Sequence, residues 1–138
     1  MVRPDIFVER MERLQEHMAI LRRLQRYPLE DFLADPERYG SAERFLQLAI
    51  ECLNDMGNHL IADRTLGPTE WARDIPTRLF EAGLLDKGLM EAWIRMIGFL
   101  NILVPDYIKI DRRLVHEVLH GRLDDFGRIK AALASALG

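Results

Sequence analysis

The sequence predicts an all-α fold: one up-down helical bundle of about five to six helices, forming a single domain over residues 1–138. Three observations carry this. Apolar residues recur at spacings of three and four along most of the chain, the period of a helix face. No segment alternates apolar and polar residues as a half-buried strand would, and no repeat, linker or low-complexity tract breaks the pattern. Proline, glycine and aspartate stand between the periodic segments, where helices start and stop.

Helix one is expected from about Asp5 to Gln25, with Phe7, Met11, Leu14, Met18 and Leu21 as an a/d seam and charged residues on the other faces. Pro28 suits the first turn of a short helix, and Asp35-Pro36 turns the chain into the next. That helix is expected from about Glu37 to Ala62. Ala42, Phe45, Ala49, Leu53, Met56 and Leu60 form its stripe, widened by Leu46, Ile50 and Ile61. Gly57 inside it costs ~1 kcal/mol against alanine and points to close approach of a neighbouring backbone. Gly67-Pro68 marks a loop, with Thr69 as a cap for the next element. A short helix should include Thr77 to Ala82, ending at Gly83, and Asp86 should cap the helix after it. Asp111 is the expected N-cap of one last helix carrying Leu114, Val115, Val118, Leu119, Leu123, Phe126, Ile129 and Leu133, bent at Gly121.

Composition narrows the function classes. A chain of 138 residues, 49% hydrophobic and 30% charged, supports a core without disulfides or metal. The net charge of −3 gives no general pull on nucleic acid, so an RNA contact would be weak or would need a local basic patch. Cys52, the single cysteine, sits in an apolar helical run and reads as a small core residue in a reducing compartment. No signal pattern and no apolar run of ~18–20 residues is present, so a cytoplasmic protein without a membrane span is expected.

The helix from Leu89 to Val104 organises the rest. Met90, Trp93, Ile97, Leu100 and Val104 form one stripe, while Met96, Phe99, Ile102 and Leu103 fill the other faces. A helix apolar nearly all round is buried on more than one side, here by its own bundle and by a second subunit, so a homodimer is expected. Pro105 should stop or kink it.

Phe99-Leu100-Asn101-Ile102-Leu103-Val104-Pro105-Asp106-Tyr107 resembles the signature of HepT-type toxins in the HEPN superfamily, Arg-Asn-x-Leu-Val-His-x-Tyr. Asn101, Leu103, Val104 and Tyr107 match it, as do Gly98-Phe99 before and Ile110-Asp111 after. The run from Leu46 to Glu51 with Asp55 to His59 is similar to the second long helix of those proteins, and the likeness spans about residues 5 to 130. The family's arginine falls on Leu100 and its histidine on Pro105. The resemblance implies a helical bundle with a twofold cleft, metal-independent RNA cleavage by that Arg/His pair, and a minimal nucleotidyltransferase partner that attaches AMP at the tyrosine, here Tyr107. No cofactor is implied.

Cleavage without a metal uses the neighbouring 2′-hydroxyl as nucleophile, and so needs a group that moves protons near neutrality and a fixed cation for the growing phosphate charge. Leu100 and Pro105 supply neither, so this sequence is expected to be cleavage-deficient. Other residues offer partial substitutes. Asp55 and His59 are one turn apart; His116 and His120 are spaced to share a metal ion, though no third ligand accompanies them and Glu117 faces elsewhere. Arg112 and Arg113 follow Tyr107 closely, at a helix start where charges commonly face water. Three functions compete on this reading: a degenerate HepT-like component of a toxin–antitoxin module acting through its partner, an active ribonuclease with a rearranged site using His59 or His116, and a helical interaction module with no nucleic-acid role.

Overall fold

The computed structural model describes residues 4–103 and 109–137. Among them the chain forms seven α-helices and no strand: α1 (Pro4–Leu24), α2 (Leu29–Ala34), α3 (Pro36–Arg64), α4 (Asp74–Glu81), α5 (Lys87–Leu103), α6 (Arg112–Gly121) and α7 (Leu123–Leu137). The count exceeds the expected five to six because the last helix is two. At Arg122, with φ −124° and ψ −1°, α6 ends on a bond from the Arg122 N–H to the Val118 carbonyl, and α7 starts at Leu123. Gly121 marks a break rather than a bend.

The long helix α3 is the spine, packing against each of the other helices. Its stripe behaves as the spacing predicts: Ala42, Leu46, Ala49, Ile50, Leu53, Met56 and Leu60 are buried, with Phe45 partly covered. The α1 seam lies along it, with Phe7, Leu14 and Leu21 buried and Met11 and Met18 partly so. Cys52 is buried, and that burial pushes its thiol pKa up, as expected of an inert core cysteine.

Capping explains several boundaries. The Asp35 carboxylate accepts from Glu37 N–H at 2.9 Å with Pro36 opening α3, Asp86 accepts from Leu89 N–H at 2.7 Å, and Asp111 accepts from Arg113 N–H at 3.1 Å. Thr69 does not cap α4. No side chain does, the N-cap position being Arg73; the Asp74 carboxylate instead ties down the preceding loop, accepting from the Glu70 and Trp71 N–H groups at 2.9 Å each, and those bonds hold its pKa below the ordinary carboxylate value. At the far end Gly83, with φ +77°, lets its own N–H reach the Phe80 carbonyl and the Leu84 N–H reach that of Leu79.

Gly57 is a close-approach glycine, but against side chains and not a backbone. A Cβ there would stand 2.5 Å from Ile75 Cγ2 and 2.9 Å from Trp93 Cη2. Trp93 itself is fully buried, and its indole N–H donates to Asn54 Oδ1 at 2.8 Å. These contacts, with Ile50 facing Met96 and Phe99 across a groove, run α5 antiparallel to α3. The end of α5 therefore falls toward the Glu43 end of α3.

Candidate functional site

The α5 end that the motif occupies is only partly sealed. Ala92, Trp93, Met96, Ile97, Phe99 and Leu103 are buried, so one bundle covers more of this helix than its all-round apolar character implied. Leu100 is half-buried and packs on the core, Asn101 is exposed, and Ile102 is 37% exposed. Between α5 and the α6–α7 corner lies a groove of about 340 Å³, lined by Ala92, Met96, Phe99, Ile102, Leu114 and Phe126, with Arg95 and Arg122 also bordering it. Pro105, Asp106 and Tyr107 lie outside the described residues.

The chain resumes at Lys109, and Ile110 packs on the core ahead of the Asp111 cap. Arg112 is then fixed by two neighbours from α3. Its guanidinium lies 4.1 Å from the centre of the Tyr39 ring, and its Nε stands 3.3 Å from Glu43 Oε2, without the alignment of a hydrogen bond. Glu43 is mostly buried. Burial pushes its carboxyl up from the usual range, and the Arg112 charge pulls part of the way back. Sequence spacing carries no signal for this pair, since the two residues meet only through the packing of α6 on α3.

Asp55 and His59 are brought together, the imidazole Nε2 lying 3.7 Å from Asp55 Oδ2. The same oxygen takes a 2.6 Å bond from Arg10 Nε, a partner that sequence spacing does not reveal because it lies on α1. Asp55 is twelve residues beyond Glu43 on α3, about 18 Å at the rise of an α-helix, so this trio stands apart from the motif corner. His116 and His120 are held elsewhere again: their rings stack at 3.9 Å, and their nitrogens meet backbone carbonyls. No group of three metal-ligating side chains occurs among the described residues, and no helix there is long and apolar enough to cross a membrane. Glu117 and Arg113 are exposed.

The fold and the site define an all-α bundle whose fifth helix ends along an open, mostly apolar groove bordered by Arg95 and Arg122. The ribonuclease HepT-like family matches residues 14–133, and the chain belongs to that family. The mRNA nuclease HepT of Shewanella oneidensis is 32% identical over 81 residues, a stretch covering 59% of this chain and 61% of that protein. Among solved structures, a toxin–antitoxin with AMP-PNP superposes at a TM-score of 0.88 and 23% identity, over 95% of this chain and 98% of that one. A tri-AMPylated Shewanella oneidensis HEPN toxin in complex with its MNT antitoxin gives 0.85 and 24%, over the same shares. YutE of Bacillus subtilis, a cytosolic protein of unknown function, gives 0.85 at 16% identity over 99% and 91%. At these identities the superpositions show a shared fold.

Proposed function

We propose that this chain is the HepT-like component of a toxin–antitoxin module in the cytoplasm, deficient in metal-independent RNA cleavage, and that it acts by binding a minimal nucleotidyltransferase antitoxin. One observation carries the reading. Where the family resemblance expects a catalytic arginine, α5 presents Leu100, a half-buried apolar side chain packed on the core. It can neither hold a phosphate charge nor donate a hydrogen bond. The proline at position 105 has no titratable group, and general acid–base work alone is typically worth ~10²–10⁴-fold. Similarity to toxins held in complex with antitoxins supports the partner, and the tyrosine at position 107 is the proposed acceptor of AMP. RNA cleavage is the test. Purified protein should give no chelator-resistant cleavage above background, and Leu100→Arg/Pro105→His should restore some; robust cleavage by the natural sequence would overturn the reading. Co-expression with the nucleotidyltransferase should give a stable complex, and mass spectrometry should find added AMP in the wild type and none in Tyr107→Phe.

We also propose that the α5 groove is where a second copy of this chain sits. Arg95, Gly98 and Ile102 line it from α5, an added Cβ on Gly98 would meet nothing, and the groove beside them is uncovered. Phe99 is buried within its own chain, which leaves Ile102 as the cleaner probe of association.

A second reading is favoured by Glu43 and Arg112: an active ribonuclease with a rearranged site, built on a carboxyl with a raised pKa and a fixed guanidinium that meet where α6 packs on α3. Loss of any cleavage in Glu43→Gln, with the fold and partner binding kept, would support it over the first.

A further inference from the structure

We propose that the furrow between α5 and the start of α7 is a phosphate site, in which Arg95 and Arg122 clamp the terminal phosphate of a nucleotide or of an RNA end. The furrow holds about 560 Å³. Leu89, Ala92 and Ala131 form its apolar walls, and Arg95, Arg122 and Arg128 supply its cations. It adjoins the apolar groove beside Ile102, and the two depressions share Ala92, Arg95, Arg122 and Asp125. Residues that border both stand together at the junction. Two guanidiniums, one from α5 and one from the α6–α7 corner, thus converge on one place.

What sets this pair apart is its lack of counter-charge. Arg128 donates to Asp125 Oδ1 at 3.2 Å, and the Asp125 side chain is 17% exposed. Asp86, the other acid of the furrow, accepts the Leu89 N–H at 2.7 Å as the α5 cap. It stands nine residues before Arg95, about 13 Å along the helix and beyond the reach of an ion pair. Neither the Arg95 nor the Arg122 guanidinium has a hydrogen bond or ion pair among the described residues. Arginine forks match phosphate oxygens in two parallel bonds, and two like charges side by side repel until an anion sits between them. Two free guanidiniums balance the near-double charge of a phosphate monoester better than the single charge of a diester or a carboxylate. The open furrow leaves room against Leu89 and Ala131 for the group that carries the phosphate. With a net charge of −3 the chain has no general attraction for anions, so affinity depends on such a local pair. The site does not involve position 100 or 105. Leu89 is thirteen residues before Ile102, about 20 Å along α5, so a second copy seated at Ile102 does not require the furrow to close.

Calorimetric titration of the full chain with inorganic phosphate, AMP and adenosine, at low salt and about pH 7.5, tests the site. Phosphate and AMP should bind, and adenosine should not. Arg95→Gln and Arg122→Gln should each weaken AMP about five- to ten-fold, the double variant should lose it, and Arg23→Gln should keep it. Both side chains are exposed, so the fold should survive, and thermal unfolding of each variant checks this. No binding of phosphate or AMP by the wild type, or equal binding by the folded double variant, would overturn the proposal. Short RNA oligonucleotides with a 5′-phosphate or with hydroxyl ends distinguish the two sources. A preference for the phosphorylated end that disappears in the double variant extends the site to RNA ends; AMP binding without that preference assigns it to nucleotides. Equal binding of both oligonucleotides, lost in the double variant, would overturn the monoester assignment in favour of the diester backbone.

Discussion

The two ends of α5 are built differently. At the amino-terminal half, Trp93 is fully buried, hydrogen-bonded to Asn54, and seated against Gly57 and Ile75. At the carboxy-terminal half, Leu100 is half-covered, Asn101 and Ile102 reach the surface, and an open groove runs alongside. One end anchors the bundle; the other carries the positions on which the family's chemistry is expected. The difference explains how a chain can keep this fold with leucine at position 100. The motif end contributes little of the tightest packing, so substitutions there need not disturb α3, α4 and the Trp93 seat.

The anchor should therefore respond most strongly to substitution. Trp93→Ala removes a fully buried ring and orphans Asn54, and should cost about 3–5 kcal/mol, measured by denaturant unfolding. A cost near that of a surface change would mean the seat can collapse and the contrast is false. Gly57→Ala probes the same contact from the other side. Its methyl would enter space held by Ile75 Cγ2 and Trp93 Cη2, and crowding of that kind costs about 1–3 kcal/mol, more than the helix-propensity gain of alanine. If the alanine variant is more stable, Trp93 has room to shift.

These two ends also differ in how far the sequence reveals them. Spacing alone identifies the Trp93 stripe, the α1 seam and the α3 face, because each rests on the helical period. Asp86 and Asp111 are legible as caps since capping is local chemistry, yet the same logic assigns Thr69 a cap on a helix that starts at Asp74 with no side-chain cap. Gly57 is legible as a close approach, but what approaches it depends on how α4 and α5 cross α3. The polar partners are hidden for the same reason. Arg10 reaches Asp55 and Arg112 reaches Glu43 only after distant helices pack, and no periodicity encodes either meeting. The motif positions are legible by resemblance; the groove beside them is not.

At the open end the expected change is in association. Ile102→Asp alters a side chain already 37% exposed, so the stability of the monomer should move by less than about 0.5 kcal/mol. Dimerisation should fall sharply, since a carboxylate on the apolar wall of the groove must shed its water when a second copy docks. Sedimentation of both proteins at matched concentration reads this out. Unchanged association would place the dimer on another surface, and a destabilised monomer would mean that Ile102 belongs to the anchor.

The smallest effect is electrostatic, at the corner beside the motif end. Burial raises the Glu43 carboxyl above its ordinary value, and the Arg112 charge offsets part of that rise. A carboxyl whose pKa is higher in the folded chain binds its proton more readily there. Its contribution to stability is therefore fully present below the unfolded value near 4.5 and is lost as pH rises through the raised folded value. Glu43→Gln has no such charge to desolvate, while Arg112 keeps its place over the Tyr39 ring. The glutamine variant should thus gain on the wild type as pH rises from about 4.5 through the raised folded value, by less than the Gly57 change costs. Chemical denaturation of both proteins across that window measures it. A difference moving the other way would mean that attraction to Arg112 outweighs burial, and the corner would then be an ordinary ion pair.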